Sequence, residues 1–173
     1  GKVESGVFRV GDTVKVLPSG FNSKIKNITS GVNKLKEAFC PMSISIELED
    51  DIDISRGDMI VKENNLPNSS QEIDIMLTWL NEKPLQNNKK VIVKHTTNEC
   101  VAKVTDLLYQ IDINTLHKKN EISELKLNSI GRIKIRTAKV LFTDNYQKNR
   151  STGSLILIDP ITNETIGAGI ILS

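Results

Sequence analysis

The sequence reads as an all-β chain, on three observations. Apolar residues alternate with polar ones at period two, the mark of strands that bury one face. Short runs rich in β-branched residues are bounded by Gly, Pro, Asn and Asp, where strands end. No segment carries a long apolar stripe at helical spacing. With 38% hydrophobic and 25% charged residues in 173, usage is that of an ordinary globular protein and excludes a collagenous or wholly disordered chain.

Each element follows in order. Gly1-Lys2-Val3-Glu4-Ser5 has neither a starting Met nor an apolar signal core, so the chain is expected to be a piece of something longer. Gly6 and Gly11-Asp12 are expected to turn between short strands, as is Pro18-Ser19-Gly20. Residues 12–17 and 23–28 read as strands. Ile44, Ile46 and Leu48 alternate with Ser43, Ser45 and Glu47 and are expected to face a core. The polar stretch 63–70, with Pro67 and no periodicity, reads as a linker between two β units, residues 1–66 and 67–173.

In the second unit Ile73, Ile75 and Leu77 alternate with Asp74, Met76 and Thr78, and Ile133 and Ile135 sit between Arg132, Lys134 and Arg136. Residues 91–95 and 154–158 are further strands. The best helical candidates are single turns at 112–116 and 145–149. Gly167-Ala168-Gly169 precedes Ile170-Ile171-Leu172, so two side chains are missing where a strand should be continuous; a bulge or a close backbone approach is expected there. Closure would remove exposed edges, but periodicity alone leaves sandwich and barrel equally open.

The chemistry that is missing narrows function. Twenty-three Lys+Arg against twenty-one Asp+Glu leave a net charge of +2, too weak to imply a nucleic-acid or membrane partner. No apolar run approaches the roughly 18 residues of a membrane-spanning helix. There is no Gly-x-x-x-x-Gly-Lys-Ser/Thr phosphate loop. Asn33-Lys34-Leu35-Lys36 starts like a guanine-reading Asn-Lys-x-Asp, but Lys36 stands where the Asp belongs; it reads as a strand with a polar face. Gly167-Ala168-Gly169 lacks the third glycine of a dinucleotide loop.

His95 and His117, the only histidines, have no ligand-spaced partners, so no metal site is expected. Composition leaves a Ser-His-Asp arrangement open, with no nucleophile-elbow motif in its support. The acidic stretch Glu47, Glu49, Asp50, Asp51, Asp53, Asp58 places Arg56 where a calcium loop starting at Asp51 needs Gly; a solvated turn joining two strands is the simpler reading. The integrin-type tripeptide Arg56-Gly57-Asp58 and the sequons at Asn27, Asn68, Asn149 and Asn163 are of kinds that chance supplies. Arg132, Lys134 and Arg136 would share one strand face about 7 Å apart, an exposed polar face more simply than a binding stripe. Cys40 and Cys100 read as free thiols in a reducing cytosol. No catalytic, cofactor-binding or metal-ligating residue is assigned.

Several stretches together resemble a known family. The segment from Leu48 through Asp50-Asp51-Ile52-Asp53-Ile54-Ser55-Arg56-Gly57-Asp58 to Met59 is similar to the large, GTPase subunit of bacterial sulfate adenylyltransferase. So are Lys94-His95-Thr96-Thr97, Tyr109-Gln110-Ile111-Asp112-Ile113-Asn114-Thr115-Leu116, the run from Asn149-Arg150-Ser151-Thr152-Gly153 to Asp159, and Thr162-Asn163-Glu164-Thr165-Ile166-Gly167-Ala168-Gly169. Gly1-Lys2-Val3-Glu4-Ser5-Gly6 resembles the first hairpin of the second domain of elongation-factor-Tu-like GTPases. Lys2 departs from the usual Arg, and Asn98-Glu99 stands where the family often carries a basic residue.

The resemblance implies two β-barrels: 1–66 of the domain-II type, its first strand truncated, and 67–173 of the domain-III type. A GTPase domain outside this chain would hold GTP and Mg²⁺, so no cofactor is expected here. A separate small subunit would join ATP and sulfate into adenosine 5′-phosphosulfate and pyrophosphate. The implied partners are that subunit and the GTPase domain, without membrane or nucleic acid, in the cytoplasm. No fused adenylylsulfate kinase is expected. The competing reading is a pair of tRNA-binding barrels from a translation-factor-like GTPase.

Overall fold

The structure, a computed structural model, describes residues 1–120 and 122–172, and among them every regular element is a strand. The chain divides into two compact units, Gly1–Pro67 and Asn68–Ser173.

The first unit holds β1 (Val7–Arg9), β2 (Thr13–Leu17), β3 (Asn22–Ser30), β4 (Asn33–Leu35), β5 (Glu37–Phe39), β6 (Ser45–Leu48) and β7 (Met59–Lys62). β3 is the hub: it pairs antiparallel with β2, β4 and β6, and β2 passes the ladder on to β7. β1 and β5 form a separate ribbon, and Lys2 bridges to Ser43. These pieces wrap one apolar cluster of Val3, Val14, Ile25, Ile28, Ala38 and Ile44. The expected turns carry Gly6, Gly11 and Gly20 at φ +70°, +89° and +79°, a region that glycine enters without strain. The expected phase of 44–48 is present, but weaker than alternation suggests. Ile44 is buried, outside any strand, whereas Ile46 and Leu48 are half-buried at the margin of the cluster. Alternation reports which face a residue takes and not how deep that face lies.

The second unit contains β8 (Asn68–Trp79), β9 (Leu85–Gln86), β10 (Lys90–His95), β11 (Asn98–Ile111), β12 (Lys118–Asn120), β13 (Glu124–Leu125), β14 (Ile130–Thr143), β15 (Ser154–Ile158) and β16 (Thr165–Ile171). The ladder runs β10-β15-β16-β8-β14-β11 and returns through β10–β11, closing a six-stranded antiparallel barrel. β12 continues outward from β11, and β9 pairs with β13. Ile73, Ile75, Leu77 and Trp79 of β8 point inward at 0–1% exposure, as do Ile133 and Ile135 of β14, while Asp74, Met76 and Thr78 are half-buried outside. In β11 the inward set changes phase, from Cys100, Ala102 and Val104 to Leu107. A bulge between Val104 and Asp106 inserts the residue that shifts it.

One expectation needs correction, one is met and one is met in part. β8 begins at Asn68, and Asn68–Ser70 pair with Thr143–Leu141, so the linker is shorter than 63–70. Pairing uses backbone groups, and polar side chains there signal only that both faces are wet. As expected, the stretches 112–116 and 145–149 are single turns, closed by Leu116 N to Asp112 O and Asn149 N to Asn145 O. In each, an Asx side chain takes backbone N–H groups that a growing helix would need, and one turn is below the nucleation length. Gly167 and Gly169 have ordinary strand φ and face inward. What approaches them is side chain: a Cβ on Gly167 would lie 2.9 Å from Leu77 Cδ1, and one on Gly169 3.1 Å from Ile75 Cδ1. The expected bulge lies beside them: a register shift between Leu157 and Ile158 leaves Ile166 unpaired and turns it inward as well.

Two truncations separate depth from phase. Ile75→Ala is expected to cost about 2–5 kcal/mol in urea unfolding, and half-buried Ile46→Ala clearly less. Gly167→Ala should overpack the barrel by about 1–3 kcal/mol; an unchanged unfolding midpoint would show that Leu77 yields freely.

Candidate functional site

Two of the segments that carry the resemblance, 94–97 and 149–159, meet at one end of the second barrel. His95 ends β10 and is 2% exposed; its Nε2 lies 2.8 Å from the carbonyl oxygen of Thr152. A carbonyl only accepts, so His95 carries its proton on Nε2 and donates. Thr152, itself 4% exposed, donates from Oγ1 to Asp144 Oδ2 at 2.8 Å, and Lys148 Nζ reaches Asp144 Oδ1 at 3.1 Å. Asn149 Oδ1 accepts from the backbone of Ser151 and Thr152. Asn145 Nδ2 donates to Leu172 O, and Tyr146 N to Ile171 O. Gly153 sits beneath this turn, where a Cβ would come within 2.5 Å of Asn149 O and 2.6 Å of Tyr146 N.

The wiring decides the chemistry. Histidine, hydroxyl and carboxylate are assembled, yet the imidazole faces a backbone carbonyl and the hydroxyl donates directly to the carboxylate. A nucleophile must instead donate to the histidine, with the carboxylate behind it. The cluster is a clasp tying β10, the 144–153 segment and the β16 end together. Burial pushes the His95 pKa below its usual value, outweighing the Thr152 carbonyl and the Asp144 charge that favour the imidazolium.

The remaining candidates lie apart from it. Of the basic stripe, Arg132 is spent on Asp74, with Nε 2.9 Å from Oδ1, and that carboxylate holds its guanidinium firmly charged. Across the ladder Lys134 faces Asp74, and Arg136 faces Glu72. Opposite charges therefore sit beside the stripe. His117 is exposed in the turn before β12. In the acidic stretch, Glu47 takes Lys26 and Asn27 at 2.6 Å each, Asp50 takes buried Ser23, and Asp58 takes the Ser55 backbone. Residues 49–58 form the loop from β6 to β7. Among the described residues no His/Cys/Asp/Glu group could hold a metal ion. Cys40 and Cys100 are both free; Cys40 is exposed, while burial raises the Cys100 thiol pKa. Sequence reasoning did not single out Asp144 or Lys148. Their four-residue spacing was a visible signal, but only within a helical turn.

The chain matches the GTP-eEF1A C-terminal domain-like family over residues 72–172, and it belongs to that family. In fold it is similar to the crystal structure of sup35 complexed with GDP, with a TM-score of 0.90 and 15% identity over 100% of this chain and 43% of that one. In sequence it is 46% identical to the bifunctional enzyme CysN/CysC of Mycobacterium tuberculosis, covering 99% of this chain and 28% of that protein. It is 45% identical to sulfate adenylyltransferase subunit 1 of Bacteroides fragilis, covering 99% of this chain and 36% of that protein. The chain thus spans about a third of the curated relatives it matches.

Stability should follow the His95 charge. A histidine whose folded pKa is depressed takes up its proton more readily when unfolded, so its contribution is intact above about 6.5 and is lost as pH falls through that value. The wild-type unfolding free energy should drop between pH 7 and 5 more steeply than that of His95→Gln, by up to about 1.4 kcal/mol per pH unit. Parallel pH profiles would show that His95 takes up its proton equally readily in the folded and unfolded states, against the depressed folded value. Gly153→Ala should destabilise by about 3 kcal/mol or more, since backbone rather than a side-chain end blocks it.

Proposed function

We propose that this chain is the C-terminal, non-catalytic barrel pair of the GTPase subunit of a cytoplasmic sulfate adenylyltransferase. That enzyme joins ATP and sulfate into adenosine 5′-phosphosulfate and pyrophosphate, coupled to GTP hydrolysis. The observation that carries this reading is identity of 45–46% along 99% of the chain to proteins bearing that name and to a CysN/CysC enzyme. In this reading the chemistry lies outside the chain: GTP and Mg²⁺ belong to a preceding GTPase domain, and the adenylyl transfer to a second subunit. A smaller β unit and a closed barrel joined by a short linker suit the remaining task, which is to dock on both and pass nucleotide state between them. Support for the tRNA-binding alternative is the match to the GTP-eEF1A C-terminal domain-like family over residues 72–172 and the fold shared with sup35 at 15% identity, whereas the net charge of +2 is poor for a phosphate-rich partner.

The test is a pair of calorimetric titrations of this chain. The second adenylyltransferase subunit is expected to bind, and GTP to give no specific heat at micromolar concentration. Specific GTP binding, or no association with the subunit, would count against the reading.

A further inference from the structure

The turn between β11 and β12 does something that the barrel does not need. Residues 112–117 carry Ile113 at 64% exposure and Leu116 at 77%. The turn is nonetheless tightly built. Asp112 Oδ1 accepts from Asn114 N at 2.9 Å and Thr115 N at 3.0 Å, Leu116 N donates to Asp112 O at 2.7 Å, and Asp112 N donates to His117 O at 3.0 Å. Leu116 pays for this with φ +59°, a left-handed conformation that is strained for a bulky residue. Three of the other four non-glycine residues in that region are Asn88, Asn128 and Asn163, a type that tolerates it. An Asn or Gly at 116 would relieve the strain and remove the apolar side chain from water, so neither folding nor solubility explains Leu116. Strain held at an exposed site points to function.

The surroundings say what would cover it. His117, Lys118 and Lys119 follow directly, all exposed, and Asp112, the one acid between 112 and 120, has its carboxylate occupied by backbone N–H groups. Lys118 Nζ is held 4.8 Å over the Tyr109 ring. The turn is therefore apolar at Ile113 and Leu116 and cationic in the residues that follow. A second copy meeting it tip to tip would bring like charge. Nucleic acid would want aromatic stacking where Ile and Leu stand. A cationic rim speeds encounter with a partner that diffuses in, which a domain tethered in the same polypeptide does not require.

We propose that the β11–β12 tip is a preformed docking knob, Ile113 and Leu116 entering an apolar pocket rimmed by carboxylates on a separate protein subunit. This deepens the function proposed above and rests on it: the occupant is the second subunit of the sulfate adenylyltransferase. Preorganisation lowers the ordering cost of binding, and a few desolvated anchors carry most of an interface's energy.

The experiment measures binding of the second subunit to the chain by calorimetry at two salt concentrations. Leu116→Asn is chosen because it keeps the left-handed backbone while removing the knob. It should leave the thermal midpoint equal or higher and weaken binding at least about tenfold. Lys118→Glu/Lys119→Glu should weaken binding and flatten its salt dependence, while Val32→Ser, at a residue 98% exposed in the first unit, should change nothing. If the wild type binds and Leu116→Asn binds equally well, the knob is wrong and the function reading stands. If the wild type does not bind the subunit, both fall. Concentration-dependent self-association abolished by Leu116→Asn would also overturn the proposal, in favour of a second copy.

Discussion

The pairing of β10 with β11 is the constraint on which the second unit depends. Once Lys90–His95 and Lys103–Asn98 join, the ladder has no free edge within the cylinder, and its radius is set by six strands. The interior must then be filled within that radius. β8 supplies Ile75, Leu77 and Trp79, and its neighbour β16 offers Gly169 opposite Leu77 and Gly167 opposite Trp79 in the register. Large residues on one strand are accommodated by their absence on the next. An open sheet could relieve such crowding by splaying, whereas a closed one cannot.

Closure also accounts for the clasp. A short antiparallel barrel leaves its ends open, and backbone groups there must still be paired. The 144–153 segment covers one end by turning twice on Asn side chains and seating its carbonyl on His95. Trp79 serves a comparable purpose: its indole donates to Lys83 O at 2.9 Å, and Lys89 Nζ lies 5.7 Å over the ring. Buried polar groups at these ends all have partners; among the described residues no buried side-chain N or O is left without one. Two of the segments that resemble the sulfate adenylyltransferase family are thus accounted for, at His95, Thr152 and Gly153, by architecture rather than by reaction chemistry.

Much of the fold was legible in the residues. Alternation at Ile73, Ile75 and Leu77 and at Ile133 and Ile135 gave strand identity and inward phase together, because a period of two leaves a strand only two faces. Glycines at 6, 11 and 20 marked turns through a backbone preference that belongs to the residue itself. Pattern failed where the ladder slips. The bulge in β11 changes the inward set between Val104 and Leu107, so a fixed period misassigns half the strand. It failed again at Asn68–Ser70, where pairing involves backbone groups that carry no sequence signature.

The site divides along the same line. Sequence by itself determined the all-β class, the absence of a phosphate loop and of metal-ligand spacing, and the turn-forming residues, since each of these depends on residue type and near-neighbour spacing. Only the tertiary structure decided which groups meet: that His95 finds a carbonyl 57 residues away, that Arg132 is consumed by Asp74 58 residues away, and that Leu116 stands strained in solvent. Those outcomes depend on strand register and closure, which are set by the sum of pairings around the barrel and not by any one segment's composition.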